Sequence, residues 1–208
     1  GGQERILRRR IRSVQSTQKI TRAMEMISAS RIVKAQQRVL AARPYAEQIT
    51  HVISNLAAAG AGTGQALLED RPDVRTVGYV VITADRGLCG GYNANVLRAA
   101  ERDLKAEVEA GRGYALFCVG RKAEGYFRYR GYELTHVTSG ISDQPSYEDA
   151  RGVAAAVVAA FEAAEVDLVK IVSTKFISAG SQAVAQQQYL PLERVEAVIS
   201  HPQATAQC

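Results

Sequence analysis

Residues 6–56 read ILRRRIRSVQSTQKITRAMEMISASRIVKAQQRVLAARPYAEQITHVISNL, with Pro44 as the lone proline and no glycine. A stretch so long and so rich in Ala, Arg, Gln, Met, Ile and Ser favours a single helix. In its best periodic half, Ile32, Ala35, Val39, Ala42, Ala46, Ile49, Ile53 and Leu56 are spaced by alternating threes and fours, which keeps one apolar seam on one face. The part before Pro44 would be on the order of 57 Å long at about 1.5 Å per residue. A compact chain of 208 residues has a radius of gyration of about 17 Å. The helix is therefore predicted to protrude, and its seam to need a second helix or another subunit. Pro44 is predicted to kink the helix or mark a join.

Nearer the N-terminus, Leu7, Ile11 and Val14 begin a seam that fades across Gln18 and Thr21 and resumes one position over at Ile20, Met24 and Ile27. That drift suits a nearly straight helix, and the interrupting polar residues suit loose or shifting contact. Charge is distributed as unevenly as the seam. Residues 4–43 hold 11 Lys and Arg against Glu4 and Glu25, a balance of +9 where the whole chain is +5, so the remainder carries −4. A solvated helix face normally mixes both signs, so this segment calls for an acidic partner surface, in protein or nucleic acid.

The 47% hydrophobic and 23% charged residues are ordinary for a globular chain, and no apolar run is long enough for a membrane span. The opening Gly-Gly-Gln-Glu with its following arginines does not read as a secretory signal. Cys89, Cys118 and Cys208 are odd in number, lack metal-ligand spacing, and predict a reducing compartment, with Cys118 a small core residue. Residues 57–64, AAAGAGTG, predict a flexible linker, because their glycines follow a helix where a phosphate loop would follow a strand.

From residue 76 strands and helices alternate. Strands are predicted at 76–83, 114–119, 133–137, 168–173 and 182–190, with helices at 94–109, near 121–129, and from the Ser146/Asp149 capping box to about 164. The first strand is β-branched and nearly continuous in its apolar residues, as a strand covered on both faces would be. The pattern is α/β: a mostly parallel sheet with helices on both faces.

The turn after the first strand, Asp85-Arg86-Gly87-Leu88-Cys89-Gly90-Gly91-Tyr92-Asn93, lies where an α/β domain would hold a ligand. Its glycines match neither phosphate-loop nor dinucleotide spacing. The structural alternative is that Gly87, Gly90 and Gly91 take backbone angles other residues resist while Asp85 satisfies turn or helix amides. Cys89 has no base in sequence reach, with His51, His136 and His201 scattered. The Tyr126-Phe127-Arg128-Tyr129-Arg130 cluster reads as a helix end packed on the sheet, or as a stacking surface for bases. No cofactor, metal or catalytic residue is expected. A basic helix on an α/β platform could instead be a nucleic-acid module, whose affinity would fall steeply with salt.

The stretch Ser13-Val14-Gln15-Ser16-Thr17-Gln18-Lys19-Ile20-Thr21-Arg22-Ala23-Met24-Glu25-Met26-Ile27, then Ala42-Arg43-Pro44-Tyr45-Ala46, the turn from Thr83 to Asn93, Ser173-Thr174-Lys175-Phe176-Ile177 and Leu190-Pro191-Leu192 together resemble the gamma subunit of F-type ATP synthase, bacterial type. The resemblance implies a long protruding N-terminal helix, half of an antiparallel coiled coil, followed by a three-layer α/β/α domain with a mostly parallel five-stranded mixed sheet. It implies a division into a shaft helix (1–57), a linker (58–74), a Rossmann-like foot (75–192) and a tail (193–208). It also implies a non-catalytic rotor shaft that couples proton flow to the cycling of catalytic subunits. The implied partners are the alpha and beta subunits of the ring, the epsilon subunit and the c-ring of the membrane sector, with no nucleic acid and no direct membrane insertion. The implied location is peripheral, on the cytoplasmic face of a bacterial plasma membrane. By motif position Lys19, Ile20, Arg22 and Met24 are expected to face the ring, with Arg8, Arg9 and Arg12 as further electrostatic contacts, and Asp85, Arg86, Gly87, Gly90 and Gly91 to form a structural turn. The family's returning C-terminal helix is expected to be absent, since the sequence stops at Cys208. The 32–56 seam is then expected to be covered by a neighbouring copy, or the tip to fray.

Overall fold

The structure, a computed structural model, describes residues 2–58, 66–178 and 180–192. The chain divides into two compact units, Gly1–Asn55 and Leu56–Cys208. The first is α1, a helix over Gly2–Ala58 of 57 residues that runs on through Pro44 without a break. A helix of that length spans on the order of 85 Å. Pro44 deletes one backbone donor, and the turns of strong helix formers on both sides carry the helix across the gap. Apart from Gln36, every α1 residue whose burial is described is exposed. The glycines at 60, 62 and 64 and the tail at 193–208 lie outside the described residues.

The second unit is built on strands β1 (Thr76–Ile82), β2 (Gly113–Val119), β3 (His136–Thr138), β4 (Leu168–Ser178) and β5 (Ser181–Leu190). Between them lie helices α2 (Tyr92–Glu109), α3 (Arg121–Tyr129) and α4 (Tyr147–Glu162). The sheet order is β3-β2-β1-β4-β5, with only β5 antiparallel to its neighbour. Strand alternation sends Val77, Tyr79, Val81, Leu116 and Cys118 against Val96, Leu97, Ala100 and Leu104 of α2 and Ala123 and Phe127 of α3. The opposite face sets Val80, Phe117, Val119 and Val169 against Val157, Ala160 and Phe161 of α4. This two-sided burial is why the central strands read as unbroken apolar runs.

Three elements differ from the sequence reading in ways that have a physical cause. The third strand, expected at 133–137, pairs only over His136–Thr138. Just before it the Leu116 N–H donates to the Thr135 hydroxyl, 3.2 Å, so a side chain takes a place in the ladder. The fourth strand, expected to stop at 173, continues to Ser178 because β5 pairs with it that far, while β1 leaves it at Val172. Its last residues have one strand neighbour and stay exposed, so burial leaves no pattern in the sequence. The second helix begins two residues early, at Tyr92, with Gly91 as its N-cap. The capping box of α4 forms as expected: Asp149 N–H donates to Ser146 Oγ, 3.2 Å, and Ser146 N–H to Asp149 Oδ2, 2.9 Å.

Polar clasps complete the packing of α2. Lys170 on β4 donates to Asp103, 2.7 Å, and Glu107, 2.9 Å, while the Tyr79 hydroxyl donates to Asp103, 2.7 Å. Glu101 accepts from the hydroxyls of Tyr126, 2.7 Å, and Tyr132, 3.2 Å, and from Arg130, 3.0 Å. Burial works against the Glu101 charge, but these donors prevail and hold the carboxyl at about 2. Free in an unfolded chain it would titrate near ~4.3. Its contribution to stability is therefore complete above that value and lost as pH falls towards 2. The urea midpoint is expected to drop across this window, and Glu101→Gln to flatten the drop; an acid limb as steep in the variant would refute the assignment.

Candidate functional site

Two groups of candidate residues lie in different units and are described separately. On α1, Arg8, Arg9, Arg12, Lys19, Ile20, Arg22 and Met24 are all exposed. At roughly 100° per residue, Arg8, Arg12, Lys19 and Arg22 fall within an arc of about 80° and form one cationic stripe. Arg9, Ile20 and Met24 lie on the adjoining face, together with Ile27. The apolar members have no cover: Ile20 is 58% exposed, Met24 43% and Ile27 54%. Arg8 also pairs with Glu4 at 2.7 Å, an exposed intrahelical contact of small energetic weight. Hydroxyls of Thr17 and Thr21 bond back to the carbonyls of Ser13 and Gln18, both at 3.0 Å, so the polar interruption in the seam folds partly onto its own helix. The sequence reading named these residues one by one; helical geometry sorts them onto two adjoining faces.

In the α/β unit the turn after β1 is organised by Asp85. Its Oδ1 accepts from the N–H groups of Arg121, 3.0 Å, and Gly140, 2.9 Å, and its Oδ2 from the N–H, 3.0 Å, and hydroxyl, 2.8 Å, of Ser142. Partial burial alone would raise its pKa, but these donors outweigh that and hold it well below the usual carboxylate range. Arg86 pairs with Asp143 at 2.7 Å, tying the same two loops on the outside. Asn93 closes the turn from α2, its Oδ1 accepting from Ala84 N–H, 2.9 Å, and its amide donating to Arg86 O, 3.1 Å.

The glycines of this turn do unequal things. Gly90 lies at φ +59°, where glycine is favoured, whereas Gly87 and Gly91 do not lie at positive φ. Leu88 takes φ +60° and is 94% exposed, a conformation the sequence pattern assigned to its glycine neighbours. The crevice between the turn after β1 and the β4–β5 pair, about 300 Å³, is lined by residues 89–92, Asn95, Thr174 and 182–184. Among the described residues no Lys or Arg lines it. Among the described residues no group of His, Cys, Asp and Glu has the arrangement of a metal site, and no helix is long and apolar enough to cross a membrane.

The sequence reading missed Thr83. It is buried at the end of β1, its hydroxyl accepts from Ala123 N–H, 2.9 Å, and donates to Val119 O, 3.2 Å, so it caps α3 from another element. A threonine ending a strand gives no local signal of that role. Of the two described cysteines, Cys118 is buried and its thiol is pushed up to about 12 by burial, while Cys89 is exposed. Maleimide applied to the native protein is expected to modify Cys89 and spare Cys118 when the peptides are weighed; rapid labelling of Cys118 would contradict the packed core.

The sequence family described as ATP synthase matches residues 3–207. The chain is 48% identical over 199 residues to the ATP synthase gamma chain of Frankia casuarinae, covering 94% of this chain and 66% of that relative. Against the gamma chain of Acidothermus cellulolyticus it is 44% identical, covering 97% of this chain and 68% of the relative. Several relatives are thus longer: the chain spans 66%, 65% and 63% of the gamma chains of Frankia casuarinae, Parafrankia sp. and Heliobacterium modesticaldum. A chain in the cryo-EM structure of the central stalk and c-ring of the Tetrahymena thermophila mitochondrial ATP synthase shares the fold, with TM-score 0.50 and 24% identity, over 69% of this chain and 72% of that one. A long N-terminal helix, a five-stranded mixed sheet and matches of this extent place the chain in the ATP synthase gamma-chain family.

Proposed function

We propose that the chain acts as the central rotor shaft of an F-type ATP synthase, a non-catalytic subunit that couples proton flow through the membrane rotor ring to conformational cycling of the catalytic beta subunits. The observation that carries this reading is α1: 57 helical residues with a cationic stripe and uncovered apolar side chains. An exposed apolar surface of this extent marks an interaction site. A shaft shifts each surrounding subunit only by the difference in its contact energy with that subunit's two states. One asymmetric helix inside a ring of three repeats touches each repeat differently, and turning it permutes those differences.

In this reading residues 1–57 form the shaft, and Lys19, Ile20, Arg22 and Met24 face the ring, with Arg8, Arg9 and Arg12 adding charge contacts to acidic loops. Residues 75–192 form the foot, turned towards the epsilon subunit and the c-ring. Residues 58–74 join them, and 193–208 continue from the foot. The turn from Asp85 to Gly91 serves as structural support. The assembly lies peripherally on the cytoplasmic face of a bacterial plasma membrane. Co-expression with alpha and beta subunits tests this: a stoichiometric complex that, joined to its membrane sector, drives ATP-dependent proton uptake is expected. Failure to co-purify, with tight salt-sensitive binding to DNA instead, would overturn the reading in favour of a nucleic-acid module.

A further inference from the structure

Helix α4 closes on the sheet at one end and stands off it at the other. In its second half Val157 and Phe161 are 1% and 0% exposed, packed with Val80 and Val169. About two turns earlier the helix presents only Ala150, Val153 and Ala154, while Ile82 and Ile171 on the strands stay partly buried. Side chains this small cannot fill the space that Phe161 fills, so a cleft of about 310 Å³ is left between helix and sheet. It extends to Ile82 and Val119, the last residues of β1 and β2, beside the point between β1 and β4 where the strand order reverses. Open α/β sheets hold their ligands at that place.

The lining selects the kind of ligand. The walls are aliphatic, and among the described residues no Lys or Arg lines the cleft. The charged group at its mouth is the capping carboxylate of α4. Asp149 Oδ2 accepts from the Ser146 N–H, 2.9 Å, and hydroxyl, 2.6 Å, bonds that favour the ionised acid, while Oδ1 has no hydrogen bond among the described residues. Glu148, one residue earlier, is met by Arg151 at 3.8 Å, so Asp149 sets the sign. The positive end of a helix carries only roughly half a unit charge, which leaves the mouth net negative. An apolar cavity of about 150 Å³ admits benzene, so this cleft, twice as large, admits a body of about ten to twelve heavy atoms. We infer that the cleft between α4 and the sheet binds a small cationic amphiphile, its hydrocarbon body between Ala154 and Ile171 and its ammonium group at Asp149. The site lies wholly within the α/β unit, and the inference goes beyond the rotor reading without resting on it. Burial of hydrocarbon supplies the affinity, and the carboxylate chooses the head group.

The test titrates the intact chain with phenylbutylamine, and separately with phenylbutyrate, which offers the same body with an anionic head. The amine is expected to bind with a Kd on the order of 1 mM, typical for a ligand of this size, and to shift the amide resonances of Ala150, Val153, Ala154 and Ile171. Phenylbutyrate should bind at least about fivefold more weakly, and Asp149→Asn should bring the two probes within about twofold of each other. Ala154→Leu fills the cleft and should weaken binding of the amine at least about tenfold, with Ala150→Leu taking its place if that variant does not fold. No saturable binding of the amine up to about 10 mM, or binding that the leucine leaves unchanged, overturns the inference. Equal affinity of the two probes for the unaltered chain overturns it as well, since the carboxylate would then choose nothing.

Discussion

Gly120→Ala is expected to cost the α/β unit more than about 3 kcal/mol, enough to lower its thermal midpoint by roughly 10 °C or more. Gly120 joins β2 to α3 at φ +94°, a region where a side chain strains the backbone. A Cβ there would also sit 2.3 Å from the Thr83 carbonyl oxygen and 2.9 Å from the Thr83 hydroxyl. The obstruction is largely backbone, at the end of β1, and it cannot swing aside as a flexible side chain could. Thr83 N–H bonds to Val119 O at 2.8 Å and Gly120 N–H to Thr138 O at 2.8 Å, so moving either chain breaks the ends of β1 and β2. By contrast Gly111, at φ +83°, has nothing within 4 Å of its virtual Cβ, and Gly111→Ala should show the backbone strain alone, near 1 kcal/mol. Urea titration of both variants checks the pair. Equal midpoints would mean that the approach of Thr83 is relaxed at little cost.

On the proposed rotor-shaft reading, reversing the stripe on α1, with Arg8, Arg12, Lys19 and Arg22 all changed to Glu, is expected to weaken binding to an alpha–beta ring by at least about 100-fold, or roughly 2.7 kcal/mol. Glutamate forms helix as readily as arginine or lysine, so α1 itself should survive, as circular dichroism would show. The corresponding Gln variants remove attraction without adding repulsion and should fall between. If attraction between opposite charges is the cause, the wild-type affinity should decline as salt rises, and the Gln variants should respond less. A ring that binds the Glu variant as tightly as the wild type would remove these four residues from the contact surface and leave the apolar face of Ile20, Met24 and Ile27 to account for it.

Both sites differ in how far the sequence alone exposed them. The long helix was legible because helix formers, spacing and the scarcity of Gly and Pro agree over fifty residues. The central strands were legible because two-sided burial leaves continuous β-branched runs. Asp85 could be assigned to turn amides from its place after a strand, yet its partners Arg121, Gly140 and Ser142 lie 36 to 57 residues away and nothing local names them. The same distance hid Arg71 from Asp167, which are 96 positions apart. Leu88 shows a different limit: in a turn that holds three glycines, only Gly90 shares the positive φ that Leu88 adopts at +60°, and Leu88 is the residue the pattern would least select.

The hydroxyl of Thr83 carries a consequence for the order of events in folding. Nine residues are too few for α3 to persist alone in water, and its first turn borrows an acceptor from the far end of β1. That acceptor is in place only once β1 and β2 have found their register. The short helix is thus expected to form after β1 and β2 have paired, and hydrogen exchange should find its amides opening together with the ends of those two strands.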